Sequence, residues 1–94
     1  MSQHRRHRKD QNQKAIVEAL ENVGADTFDL SQVGKGLTDI LVGFRGVNFL
    51  LEIKNPDQNW KFTEKQNEFH RFWRGQKAVV ETVDDALKAI GAMS

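Results

Sequence analysis

Asp39, Glu52 and Lys54 are the residues whose types and spacing could do chemistry. They sit in the stretch Asp39-Ile40-Leu41-Val42-Gly43-Phe44-Arg45-Gly46-Val47-Asn48-Phe49-Leu50-Leu51-Glu52-Ile53-Lys54, in which two apolar runs flank a Phe44-Arg45-Gly46 turn. Gly46 can supply the positive φ that a short hairpin turn needs. Strand side chains alternate faces, so Glu52 and Lys54 point the same way, roughly 7 Å apart, while Ile53 points into a core. Antiparallel pairing brings Asp39 back beside that end. Two acids and a lysine are costly to place on a greasy hairpin without a purpose. Hard divalent cations take oxygen ligands. The two carboxylates and the Ile53 backbone carbonyl offer three. Lys54 would then orient or deprotonate a water, or stabilise charge on a pentavalent phosphate. That chemistry is metal-assisted phosphodiester hydrolysis. An ordinary cluster of surface ion pairs is the competing reading of the same spacing.

The elements that must position these residues follow from periodicity. Asp10 reads as an N-cap, and Ala15, Ile16, Ala19, Leu20 and Val23 recur at helical spacing up to Gly24, giving a first helix over about 11–23. Glu18 and Glu21 project away from its apolar stripe. Phe28 and Leu30 alternate with Thr27 and Asp29 as a short half-buried strand, and Ser31 to Gly36 is a loop. The hairpin strands cover about 39–44 and 47–54. Asn55-Pro56-Asp57-Gln58-Asn59 is a strong turn signal. Thr63 with Gln66 three residues on is a capping box opening a second helix, with Phe69, Phe72 and Trp73 as its buried face and Gly75 as its stop. Lys77 to Thr82 is a fourth strand. Asp84 or Asp85 opens a last helix that ends at Gly91. The order α-β-β-β-α-β-α predicts an α/β fold, a mixed sheet flanked by helices.

With 94 residues the chain makes one small domain, here 10–94 behind a basic arm at 1–9. A chain of this size buries only roughly 60–65% of its unfolded surface, so self-association would help it. It has no cysteine, which excludes disulfides and thiol-based metal sites or nucleophiles. No apolar run approaches the ~20 residues of a membrane span, and the basic start is not followed by a signal-peptide core. A cytoplasmic protein is expected. The net charge of +1 hides an asymmetry, because Arg5, Arg6, Arg8 and Lys9 crowd the start with no acid among them. Such an arm suits a polyanion or a merely solvated terminus.

Asp39, then Glu52-Ile53-Lys54 after an apolar strand, resembles the PD-(D/E)XK nuclease signature. The run Gly36-Leu37-Thr38-Asp39 to Lys54, then Thr63-x-x-Gln66, then Val79-Val80 before an acidic helix start, resembles the VRR-NUC family, in particular its short stand-alone bacteriophage members. The resemblance spans about 10–91. It implies a restriction-endonuclease-like fold and Mg²⁺- or Mn²⁺-dependent endonucleolytic cleavage of DNA, selective for branched or Holliday-junction DNA, by a homodimer. Carried over by position, Asp39 and Glu52 would ligate metal with the Ile53 carbonyl, Lys54 would assist the attacking water, and Gln66 would sit at the edge of the site. The proline of the PD pair is Thr38 here, which also tolerates extended backbone. Related resolvases carry a glutamate on the first helix, where the closest match is Gln13, a neutral and weaker ligand. A catalytically weak or inactive nucleic-acid-binding module is therefore the alternative.

DNA contacts would go to the backbone. Lys35 lies in a glycine loop just before Asp39. Lys61, Lys65, Arg71 and Arg74 lie on or before the second helix. Arg5, Arg6 and Arg8 could follow a groove. Trp60 would stack on a base, pack at a dimer interface, or simply be half-buried.

Overall fold

The computed structural model describes the backbone of residues 3–94 and the side chains of residues 11–94. The central hairpin forms where the alternation predicts it. Strand β2 (Ile40–Phe44) runs antiparallel to β3 (Val47–Ile53), with Ile40 opposite Leu51 and Leu41 opposite Leu50. Both residues of its turn are left-handed, Arg45 at φ 52° and Gly46 at φ 82°. This is the turn geometry that matches the twist of two paired strands. Strand β1 (Asp26–Asp29) pairs antiparallel with β2. Strand β4 (Lys77–Val80) pairs parallel with β3. The sheet order is β1-β2-β3-β4. Helices α1 (Gln3–Asn22), α2 (Glu64–Phe72) and α3 (Val83–Ala89) complete the order α-β-β-β-α-β-α. A parallel neighbour cannot be reached by a tight turn, so α2 lies in the crossover from β3 to β4.

One face of the sheet carries the core. Ile40, Val42, Leu51, Ile53 and Val80 pack with Ile16 and Leu20 of α1 and Ala86 of α3, and all are 0–1% exposed. The strand register places the other face just as firmly. Phe28, Leu41, Leu50 and Lys77 form a cross-strand row there. Leu30, Leu37, Leu41, Leu50 and Trp73 line an open cavity of about 480 Å³ on that side.

Five expectations need correction. Helix α1 starts at Gln3, so Asp10 lies inside it and not at its start. No Gly or Pro interrupts residues 3–10, and Arg and Lys are good helix formers. The side chains of the basic arm, including Arg5, Arg6 and Arg8, lie outside the described residues. Phe28 is 68% exposed rather than inward. Alternation divides β1 into two faces, but the register with Val42 puts Thr27, not Phe28, on the helix-covered side. Helix α2 has no buried residue, and Phe72 is 66% exposed. Its aromatics stack on one another instead, Phe69 on Trp73 at 5.3 Å and His70 on Phe62 at 4.6 Å. The helix stops at Phe72 because Trp73 turns extended (ψ 126°). Helix α3 is capped by Thr82, whose hydroxyl accepts from the Asp85 N–H, so Asp84 and Asp85 fill the first turn. Among the described residues no helix is long and apolar enough to cross a membrane.

Candidate active site

The site lies where β3 ends, on the sheet face away from α1 and α3. Asp39 precedes β2 but behaves as a rung of its ladder. Its backbone N–H donates to the Leu51 carbonyl at 3.0 Å, and its carbonyl accepts from the Leu30 N–H at 2.8 Å. Its carboxylate Oδ2 then takes the next ladder donor, the Ile53 N–H, at 2.7 Å. That short charge-assisted bond orients the carboxylate toward the end of β3.

Glu52 is 1% exposed, since it shares β3 with Leu51 and Ile53 in the middle of the sheet. Burial of a carboxylate demands partners. Lys54 Nζ lies 3.4 Å from Glu52 Oε2, with its side chain 12% exposed. Gln66 Nε2 donates to the same oxygen at 3.3 Å. The capping box also forms. The Gln66 N–H donates to Thr63 Oγ1 at 3.1 Å, and Gln66 Oε1 accepts from the Thr63 N–H at 2.9 Å. One side chain therefore both caps α2 and touches Glu52. The structure thus brings Asp39, Glu52, Ile53, Lys54 and Gln66 together.

The glycine loop meets this cluster from the side. Gly34, Lys35 and Gly36 are all left-handed, with φ of 71°, 59° and 79°. A Cβ on Gly36 would stand 2.4 Å from the Lys65 carbonyl, so only glycine lets the loop rest on the first turn of α2. Exposed Lys35 and Lys65 thereby share one rim. Lys61 is exposed on the segment between β3 and α2, and Arg71 and Arg74 are exposed at the far end of α2.

Sequence reasoning missed Asn12 and His70 among the surroundings, and the partners of Trp60. Asn12 of α1 donates through Nδ2 to the Lys54 carbonyl at 3.0 Å and the Glu81 carbonyl at 3.1 Å, tying the ends of β3 and β4 together. Gln13, its neighbour, is half-buried, and Glu18 is exposed. Trp60 donates from Nε1 to Glu81 Oε2 at 2.9 Å and turns its ring toward Lys54. His70 lies under Phe62. Its Nε2 is buried with no hydrogen-bond partner among the described residues. Burial, with Lys77 and Lys54 nearby, holds the imidazole pKa below its ordinary 6.5. No periodic pattern announces these contacts, which join residues far apart in the chain.

The donor set is all hard oxygen: two carboxylates and a backbone carbonyl, with the Gln66 amide turning its N–H to Glu52. This fits Mg²⁺ or Mn²⁺ and excludes a soft-metal site. Among the described residues no group of three or more His, Cys, Asp or Glu could hold a metal. Among the described residues the site offers two acids, Asp39 and Glu52.

A mixed four-stranded sheet in this order, with acids and a lysine at the end of the central hairpin, defines a restriction-endonuclease-like fold. A solved structure described as a VRR_NUC domain superimposes with a TM-score of 0.72 at 30% identity, covering 88% of this chain and 94% of that one. The chain belongs to the VRR-NUC family. No protein-family model matches the sequence, and no curated protein does.

Proposed function

We propose that this protein is a Mg²⁺- or Mn²⁺-dependent endonuclease that hydrolyses DNA phosphodiesters, selective for branched or Holliday-junction DNA. The carrying observation is the convergence of Asp39, Glu52, Lys54 and Gln66 at one strand end, with the Asp39 carboxylate fixed on the Ile53 N–H. Asp39, Glu52 and the Ile53 carbonyl would hold the cation. When bound, it supplies Lewis acidity toward the phosphate and acidifies water. Lys54 donates hydrogen bonds to the attacking water and to the charge that builds on the phosphate. Gln66 holds the Glu52 carboxylate in place. Lys35 and Lys65, with Lys61 and the arm residues Arg5, Arg6 and Arg8, would bind phosphates, so affinity falls steeply with salt.

The exposed row Phe28–Leu41–Leu50 favours a homodimer. Asp26 lies at the β1 edge of that face, while Arg71 and Arg74 flank Trp73 at the other. A two-fold axis would set acids against bases. Two active sites related by that axis suit two strands of a junction. The setting would be the cytoplasm of a bacterial or phage-infected cell.

The test is cleavage of a labelled four-way junction beside a matched linear duplex, in Mg²⁺ and in Mn²⁺, for wild type and Lys54→Ala. Junction cutting that Lys54→Ala abolishes is expected. Equal cutting of both substrates removes the selectivity and keeps the nuclease. Junction binding without cutting favours the inactive binding module, a reading that the two-acid donor set supports.

A further inference from the structure

We propose that Trp60, held by Glu81, is a positioning residue for the Lys54 ammonium. The inference rests on the role given to Lys54 above. A lysine head group rides on a flexible four-carbon stem and must be confined to act at one place. Its ion pair with Glu52 spans 3.4 Å, longer than the about 2.7–2.9 Å of a tight charge-assisted bond, so it leaves the head group room to move. Two aromatic faces flank that room. Lys54 Nζ stands 5.3 Å from the Trp60 ring centroid and 5.5 Å from that of Phe62, both within the roughly 6 Å reach of a cation–π contact. The rings themselves are 5.3 Å apart and inclined by 52°, so they make two walls of a corner.

Each wall is braced from behind. Phe62 lies flat on His70, 4.6 Å away and inclined by 10°. Trp60 hangs from Glu81 Oε2 by its indole N–H. Glu81 is fixed at both ends of its own backbone, its N–H donating to Asp85 Oδ2 at 3.0 Å and its carbonyl accepting from Asn12. The same Asn12 amide grips the Lys54 carbonyl, and the Lys54 N–H donates to Val80 at 2.9 Å. Backbone and head group of Lys54 are thus referred to one frame, the junction of β4 with α3. The ring that faces the ammonium is not offered to a DNA base.

The experiment compares Trp60→Leu, Trp60→Phe and Glu81→Ala in single-turnover junction cleavage, alone and in the Lys54→Ala background, and follows the Lys54 ε-methylene protons by NMR. Trp60→Leu should lower the rate constant roughly tenfold while leaving half-saturation by DNA unchanged. Trp60→Phe, which keeps a ring face, should retain most of the rate, and Glu81→Ala should fall between them. In the Lys54→Ala background Trp60→Leu should cost nothing more, because its effect passes through the lysine. The ε-methylene resonances should lie upfield of solvent-exposed lysine in wild type and move toward it in Trp60→Leu. A Trp60→Leu protein that binds DNA weakly at full rate overturns the inference in favour of base stacking. Unchanged rate and unchanged resonances also overturn it, as does a full additional loss without Lys54. Should Lys54→Ala cleave normally, the role of Lys54 itself falls, while the resonances still decide whether the corner holds it.

Discussion

Replacing Gln66 by glutamate separates its two jobs. Glutamate keeps an oxygen for the Thr63 N–H and is itself a usual partner in a capping box. It deletes the amide donor 3.3 Å from Glu52 Oε2 and sets a carboxylate oxygen there. Two unit charges at that distance repel by about 5 kcal/mol at an effective dielectric near 20, which is a ceiling. Side-chain retreat and a shared proton reduce it toward the loss of one hydrogen bond to a charged group, about 2 kcal/mol. In a domain of this size each kcal/mol moves the melting temperature by about 4–8 °C. Gln66→Glu should therefore melt about 8–16 °C below wild type in EDTA. Thr63→Ala removes the cap and leaves the Glu52 contact, so it should lose only about 1 kcal/mol and keep its cleavage rate. Mn²⁺ then reverses the order. The Gln66→Glu site offers three carboxylates, and each tenfold gain in affinity adds about 1.4 kcal/mol at a fixed concentration above both dissociation constants. Its metal-induced rise should exceed that of wild type by about 6–11 °C per tenfold. Thermal melts with EDTA and with Mn²⁺ measure both quantities. If Gln66→Glu melts with wild type in EDTA and gains no more from Mn²⁺, the side chain is a helix cap alone and its place in the site is refuted.

Other perturbations read other parts of the molecule. His70, whose folded pKa is depressed, binds fewer protons folded than unfolded, so its contribution is complete above pH 6.5 and is lost as pH falls below that value. Melts between about pH 7.5 and 5.5 should show this slope, and His70→Phe should flatten it. Asn12→Ala strands two carbonyls and should cost about 2 kcal/mol in a denaturant titration, while Asn12→Asp, which cannot donate to them, should cost more. Phe28→Asp places a charge on the exposed row and should convert a sedimenting dimer into a folded monomer. A wild-type monomer at micromolar protein would remove the dimer from the proposal.

The hairpin and the meeting of Asp39, Glu52 and Lys54 at its end were legible because period-two alternation and a turn glycine act locally. The capping box of α2 was legible for the same reason. Local rules failed where tertiary context decides. Alternation in β1 separated Phe28 from Thr27 but could not say which of them the helices would cover. The aromatic spacing of α2 suggested a buried face, yet those rings found one another rather than the sheet. Asp10 has the chemistry of an N-cap, but a cap ends a helix only where the preceding residues resist helix, and residues 3–9 do not. Asn12 and Glu81 carried no sequence signal, and Trp60 stood out only as an aromatic, since each matters through partners brought in by folding.

The Asn12 amide reaches Lys54 and Glu81, 42 and 69 residues further along the chain. A polypeptide emerging from the ribosome makes α1 first and the hairpin next, and a two-stranded hairpin by itself is marginal in water. Neither the parallel neighbour of β3 nor the carboxylate that holds Trp60 exists until residue 81 is out. Lys54 is gathered last, as the segment around Glu81 closes on Asn12. On the role proposed for Lys54, a chain that stops short of Glu81 lacks the frame of its lysine and should not cleave DNA.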